Sequence, residues 1–378
     1  MTVRVNKSSF NIREKLSELG RKFGLKGSEL AAAETVQEAR DLVSAGRKNL
    51  IINGDVRIAQ RATSATAVND TYNTVDRFNT WINYSSGTHL MSQESDAPPG
   101  FSKSVKYTSS ATTAQYHIFQ QNIEANNLGH INAGTSDALP LTMSFWVKSN
   151  RPATYNFEMI NDSGSHHIVK QYNIDQSGVW EHKVIHIPPQ TVGGAMTVDN
   201  TSGYSLYWWL GGNSGYSGTA LTGNWESYLT NRRNEGGNVT LDSGDYWMIT
   251  GIQLEVGRNA TDFEHRSYAE ELELCQRYYQ KKNIGYGRVA HFRTDALLVF
   301  AADLPVDLRA SAVSITQNSG LNNWAYRDGV SPTISSLNNS TSATNNTLTV
   351  MYNVSSGGDS DETCFYYGGG SILIDAEL

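Results

Sequence analysis

Residues Leu141–Lys148 read LTMSFWVK, with Leu, Met, Phe and Val at every second position and Thr, Ser, Trp and Lys between them. A strand's period of two puts these sets on opposite faces. The same alternation recurs in Ser104–Thr108, Tyr116–Ile123, Thr154–Met159, Ile168–Ile174, Glu181–Ile187 and Tyr204–Leu210. Clusters of Gly, Pro, Asn or Ser bound each run, and no helical pattern intervenes. Strands at this spacing predict a two-sheet antiparallel sandwich. The 33 Gly, with 19 Tyr and 8 Trp, suit short strands joined by turns.

The sandwich is expected to span 49–266. Asn49–Arg61, NLIINGDVRIAQR, reads as its opening strand after a Gly-Arg-Lys junction. Trp247–Arg266 reads as its closing strand, with an acidic-aromatic lead into a helix. Thr80–Gly100 and Gly211–Asp245 read as long loops, which are commonly partner-facing. Residues 1–48 differ: Asn11-Ile-Arg-Glu14 and Thr35-Val-Gln-Glu38 have capping-box spacing before short apolar stretches. Helices so short and polar need another surface to fold on, so an attachment leader is expected.

A third capping box, Ser267-Tyr-Ala-Glu270, opens a connecting helix over Tyr268–Lys282 within 267–285. Its apolar stripe carries Leu272, Cys275, Tyr278 and Tyr279. Leu272, Cys275 and Tyr279 would meet other copies about a three-fold axis, or the stripe would cover its own sandwich. Residues 286–378 return to short strands at Arg288–Arg293, Leu297–Leu304, Ala312–Gln317, Thr347–Val354, Cys364–Tyr367 and Ser371–Ala376. The tract Ser331–Asn346 between them reads as polar turns.

Several function classes fall away. The net charge is −7 and no basic run marks a nucleic-acid surface. No apolar run of about 18 residues is present, so no membrane-spanning helix is expected. The start, MTVRVNKSSF, lacks the apolar core of a secretory signal. Cys275 and Cys364 are far apart and read as free thiols. No G-x-S-x-G, P-loop, Rossmann or HExxH spacing occurs. His166 and His167 would point to opposite strand faces and so make a poor metal pair. The acidic run Gly357–Glu362 lacks the spacing of a calcium loop. Scattered carboxylates (Glu94, Asp96, Asp242, Asp245) form no recognisable glycosidase pair. No catalytic, cofactor or metal residue is expected.

Aromatic residues are the remaining candidates. In Tyr204–Leu210, YSLYWWL, Leu206, Trp208 and Leu210 share the inward face and Tyr207 and Trp209 the outward one. Flat rings suit the apolar faces of sugars, and Tyr and Trp also favour protein interfaces. Tyr207 and Trp209 are therefore glycan-binding candidates, while burial under the long loop or a neighbouring subunit is the commoner fate of such pairs. Trp225 and Tyr228 in one loop, and Trp81 and Tyr84 in the other, complete the set.

Several segments resemble tail-fibre and appendage proteins of tailed phages that carry a carbohydrate-binding-module-like jelly roll. They are Asn49–Arg61, LTMSFWVKS at 141–149, Trp180-Glu-His-Lys-Val-Ile-His-Ile-Pro188, Gln253-Leu-Glu-Val-Gly257, Phe263-Glu-His-Arg-Ser-Tyr268 and Cys275-Gln-Arg-Tyr-Tyr279. The likeness covers roughly 48–280 and continues weakly into Leu304–Ala310. It implies a mainly β chain: an antiparallel jelly-roll sandwich plus a smaller C-terminal β domain, with a helical N-terminal leader and one connecting helix. It further implies a homotrimeric structural protein of the virion, without enzymatic activity. The leader would dock on another virion protein, and the β domains would meet a host-surface glycan. A purely structural capsid or tail decoration is the alternative, and a polysaccharide depolymerase a more distant one. Carbohydrate-binding relatives often hold a structural calcium near the first and last strands. Here Ile249-Thr-Gly-Ile-Gln253 stands where an acidic pair would help.

Overall fold

The computed structural model describes residues 48–67, 70–84, 89–110, 114–161, 165–237, 241–284, 288–294, 296–310, 314–318, 324–326, 333–344, 346–355, 363–367 and 371–377. The expected leader lies outside the described residues, apart from Lys48.

Twelve strands run through the first part of the chain: β1 (Ser64–Ala67), β2 (Asn79–Tyr84), β3 (His89–Glu94), β4 (Ser104–Thr108), β5 (Ala114–Glu124), β6 (Leu141–Ser149), β7 (Ala153–Asn161), β8 (His166–Ile174), β9 (Glu181–Ile187), β10 (Ser202–Gly212), β11 (Glu226–Ser227) and β12 (Tyr246–Val256). They form two six-stranded antiparallel sheets, ordered β1-β3-β4-β12-β6-β9 and β11-β8-β7-β10-β5-β2. The inward positions of the two sheets make one core. Trp208 lies near its centre, with Phe157 at 5.2 Å, Phe119 at 5.9 Å and Phe145 of the facing sheet at 6.0 Å. Leu206, Leu210, Met143, Val147, Trp247 and Ile249 complete the contact between layers. Each such side chain stabilises the fold by roughly 1.5–3 kcal/mol.

Two sequence expectations about this region are corrected. Residues 49–61 are no strand but an irregular segment with Asn53 and Val56 at positive φ. Its polar groups are met by side chains and by isolated backbone bonds, such as Leu50 N to Leu254 O and Ile252 N to Gly54 O, instead of a ladder. Asn49 Oδ1 accepts from Ile51 N and Leu254 N, and its Nδ2 donates to Ile252 O. Asn53 Nδ2 donates to the carbonyls of Ile58 and Asp76, and its Oδ1 accepts from Ile58 N. Thr80–Gly100, expected as a loop, holds β2 and β3, whose polar and histidine-bearing alternation hides a strand signal. The expected closing strand, β12, sits inside its sheet between β4 and β6. It is bulged between Thr250 and Gln253, with Gly251 at φ 61°.

The helix α1 (Tyr268–Gln276) opens on the expected Ser267–Glu270 capping box. It ends at Gln276, not Lys282, because the following residues form β13 (Tyr279–Asn283). The C-terminal part continues with β14 (Arg288–Thr294), β15 (Leu297–Asp303), β16 (Ser314–Asn318), β17 (Trp324–Tyr326), β18 (Ile334–Leu337), β19 (Ser342–Ala343), β20 (Thr347–Val354), β21 (Thr363–Tyr367) and β22 (Ser371–Asp375). A three-stranded sheet runs β13-β22-β16 and a larger one β17-β21-β14-β15-β20-β18, with β19 on β20. Strands β18 and β19 lie in the tract expected to be turns. The two sheets enclose Phe292, Leu298, Leu348, Val350, Tyr352, Tyr366, Ile372 and Ile374.

Charged groups dock this smaller domain on the sandwich. Arg77 is enclosed, with its guanidinium 3.5 Å over the Tyr278 ring, ion-paired to Glu377 and donating to Asn122 O at 2.7 Å. Arg61 lies 3.7 Å over Tyr279 and pairs with Asp375 at 2.9 Å and Glu377 at 3.3 Å. Glu124 accepts from Arg277 at 2.6 Å and from the Tyr278 hydroxyl at 2.8 Å. The interface candidates are corrected accordingly. Cys275 is wholly enclosed with Ile52, Ile58 and Tyr278, Leu272 packs on the same cluster, and Tyr279 lies under Arg61. These side chains cover their own chain, so Cys275 and Tyr279 are not presented to a neighbouring copy. Cys275 and Cys364 are both buried, and the Cys364 thiol donates to Ala290 O.

Two predictions follow from packing and burial. A Cβ on Gly54 would stand 2.2 Å from the Ile252 carbonyl oxygen. Gly54→Ala is expected to destabilise by about 1–3 kcal/mol in urea unfolding, and an unchanged midpoint would contradict the close approach. His89 and His117 meet edge to face, 4.5 Å apart, and His89 stacks on Tyr107 at the sheet–sheet boundary. Burial lowers His89 to about 4 and, with the His89 charge adding, His117 to about 3. Both values lie below the unfolded value of about 6.5, so the stability they contribute is complete above that pH and is lost as pH falls toward 4 and 3. Asp76, raised to about 6 by burial, acts with the opposite sign. The urea midpoint should therefore fall more steeply from pH 6.5 to 4.5 in the wild type than in His117→Leu; equal slopes would contradict this.

Candidate functional site

The outer face of the second sheet carries the densest group of aromatic side chains outside the two cores. Strand β10 lies between β5 and β7, with Tyr207 opposite Gln120 and Glu158, and Trp209 opposite Ile118 and Asn156. The period of two therefore places Tyr207, Trp209, Glu158, Asn156 and Ile118 together on the outward side. Segment 211–237 turns back over this face and brings Tyr216, Tyr228 and Arg233 onto it.

Arg233 stands at the centre. Its guanidinium lies 4.9 Å from the Trp209 ring, 5.3 Å from Tyr207, 5.4 Å from Tyr228 and 5.7 Å from Trp81. Its Nε donates to both oxygens of the fully buried Glu158, at 2.9 and 3.0 Å. Trp209 Nε1 donates to the same carboxylate at 2.9 Å. His167 Nε2 accepts from Leu229 N, which makes Nδ1 the protonated nitrogen that donates to Glu158 at 2.8 Å. Burial opposes the charge on Arg233, but the Glu158 carboxylate together with Tyr228 and Tyr207 outweighs it and raises the arginine above its usual range.

Around this enclosed ion pair, Trp81, Tyr116, Tyr216 and Tyr228 are half-buried and pack against the cluster. They meet at ring angles, Trp81 on Tyr116 at 5.6 Å and Tyr116 on Tyr216 at 5.4 Å. Such a face has flat apolar patches beside fixed polar groups, the combination that recognises polyhydroxylated rings.

Four of the six sequence candidates converge here: Trp81, Tyr207, Trp209 and Tyr228. Trp209 is wholly enclosed and Tyr207 nearly so, covered by the long loop, one of the two fates expected for the pair. Trp225 is corrected: it joins the main core, stacked 5.7 Å from Tyr204 with Nε1 donating to Pro188 O, and is only 9% exposed. The backbone of Tyr84 pairs with Ala114 at the end of β2; its side chain lies outside the described set. Sequence reasoning missed Tyr116, Tyr216, Glu158 and Arg233. An acid alternating outward between Phe157 and Met159, and an arginine pair in a Gly/Asn-rich loop, were the available signals.

Other groups are accounted for locally. Where the resemblance would put calcium, Lys48 Nζ donates to Asp262 O at 2.6 Å, and Gln253 Nε2 to the carbonyls of Thr261 and Asp262. Among the described residues no His/Cys/Asp/Glu group of three or more is arranged to hold a metal ion. On the outer face of the first sheet, Trp180 Nε1 and Lys148 both donate to Asp96, and Trp146 lies 5.1 Å from His182. A cleft of about 260 Å³ beside Asn161, Gln190, Gly193 and Ser202 is lined by polar and small residues and Met196, with no ring among the described residues.

No family model matches the chain. No curated protein matches it either. Solved structures are similar to just over half of the chain at low identity. The enzymatically active domain of tailspike protein 4 from bacteriophage CBA120 is 12% identical with a TM-score of 0.31, over 55% of this chain and 21% of that one. The family 11 carbohydrate-binding module of a Clostridium thermocellum cellulosomal cellulase is 14% identical with a TM-score of 0.26, over 52% and 97%. The xylan-binding domain from Paenibacillus barcinonensis is 11% identical with a TM-score of 0.25, over 57% and 100%. The matched part is thus about a fifth of the tailspike domain and nearly all of each binding module. At these scores the likenesses decide nothing about function.

The enclosed ion pair makes a testable prediction. Glu158→Gln leaves the Arg233 guanidinium buried without a counter-charge and should destabilise by roughly 3–5 kcal/mol. Urea unfolding of Glu158→Gln beside a Glu158→Met/Arg233→Met double variant checks this. The double variant should lose less; the reverse order would contradict an ion pair at the centre of the face.

Proposed function

We propose that the chain is a carbohydrate-binding protein that acts without chemistry and presents the outer face of its second sheet to a glycan. The observation that carries this is the ring of half-exposed Trp81, Tyr116, Tyr216 and Tyr228 around the enclosed Arg233–Glu158 pair. Ring faces take the C–H faces of sugars, and the fixed polar centre holds the rings in place. A glycosidase needs an acid free to protonate the scissile oxygen and a second carboxyl set across the bond. Glu158 is committed to Arg233, His167 and Trp209, so the central carboxylate of this face is not free for that role.

The setting we propose is a phage virion, in a tail fibre or similar appendage, as a homotrimer. Its residues 1–48 would attach to another virion protein, and its β domains would face the host surface. The sequence resemblance of 49–61, 141–149 and 253–257 supports that reading. The enclosure of Tyr207 and Trp209 beneath the loop favours the second reading, a purely structural decoration of capsid or tail.

A glycan array probed with the full chain separates the two. Binding to a defined set of glycans, weakened about tenfold in Trp81→Ala with an unchanged melting temperature, is expected. An array with no signal would leave structural decoration as the account.

A further inference from the structure

Three polar atoms on this face have no hydrogen-bond partner among the described residues although they are out of contact with solvent: Arg233 Nη2, Asn156 Oδ1 and Asn234 Oδ1. They are close together. Asn156 Nδ2 donates to Glu235 O, and Gly237 lies against both asparagine side chains. Asn234 directly follows Arg233 in the chain. Burying one unmet cationic donor and two unmet acceptors is costly, and native sites rarely leave such a set without a partner.

We propose that the aromatic face selects an acidic saccharide, one carrying a carboxylate such as a uronic or sialic acid, and that Arg233 is its specificity residue. This rests on the carbohydrate-binding reading. Glu158 occupies Arg233 through Nε alone, so Nη2 remains to donate. The surrounding ring faces attract the guanidinium, but a carboxylate oxygen accepts its N–H far more strongly. The two asparagine oxygens accept from sugar hydroxyls. The half-exposed rings of Trp81 and Tyr228, both within 6 Å of the guanidinium, carry the sugar's C–H face. Access to Nη2 requires the rest of segment 211–237 to shift outward while Arg233 Nε stays on Glu158, and Trp81 and Asn156 stay on the sheet.

The test is calorimetric titration of the full chain with tri-galacturonate, sialyllactose and neutral galactotriose, in low and high salt. At least one carboxylated probe should bind, tenfold or more tightly than galactotriose, and should weaken as salt rises. Arg233→Lys should abolish that preference, because a lysine keeps the charge but loses the planar fork. Asn234→Ala guards against misfolding as the explanation. Removing an unmet buried acceptor should hold or raise the melting temperature while weakening the acidic probe several-fold. Equal or tighter binding of the neutral probe, or an unchanged preference in Arg233→Lys, overturns the inference and leaves the carbohydrate-binding reading standing. Absence of binding to every probe here and on the array overturns both.

Discussion

The backbone of residues 49–61 meets strand β12 only at isolated bonds and forms no ladder, and its hydrogen bonds tie the parts of the molecule together. Asn49 joins it to β12, and the Ile52 amide and carbonyl exchange hydrogen bonds with Gln121 of the second sheet. Glu271 of α1 accepts from Asn53 N, and Gln60 Nε2 donates to Tyr279 O at the start of the C-terminal sheet. Arg61 then reaches Asp375 and Glu377. Each of these groups is buried or half-buried, so an unmade bond would leave a desolvated polar atom. The Asn-Gly pair is needed here for a physical reason: Asn53 tolerates positive φ while its amide replaces missing ladder bonds, and Gly54 admits the Ile252 carbonyl.

With that segment in place, strand alternation does the rest. One side of β10 fills the core with Leu206, Trp208 and Leu210 while the other presents Tyr207 and Trp209. The outward side then needs a cover, because large rings left in water cost burial energy. Segment 211–237 supplies it, and Arg233 fixes it by combining ring contacts with the Glu158 ion pair. The result is a face with an enclosed centre and an open rim. Its rim rings meet edge to face and are held by the same contacts that cover its centre.

Alternation was legible wherever apolar residues marked every second position, as in 141–148, 181–187 and 347–354. It was not legible in β2 and β3, whose strands carry Asn79, Thr80, His89 and Ser92 at positions that the tertiary contacts bury. The apolar run of 49–61 looked like a strand because pattern reads side chains and not where backbone bonds go. The helix was overextended because Tyr278 and Tyr279 continue its stripe, while the long-range pairing with 371–375 takes Tyr279 into a sheet. Of the site, the rings Trp81, Tyr207, Trp209 and Tyr228 could be picked from sequence by type. Their convergence depends on a long-range return of the 211–237 loop onto the sheet. Glu158 and Arg233, 75 residues apart, had no local signal linking them.

The central claim is that the outer face of the second sheet is where a glycan meets this chain. Hydrogen exchange of the full chain, with and without a saturating glycan ligand, tests it most directly. The account predicts added protection in 79–83, 204–210 and 226–237, with the first sheet and the C-terminal strands unchanged. Protection centred on Trp146 and Trp180, or in the strands beyond 288, would contradict it.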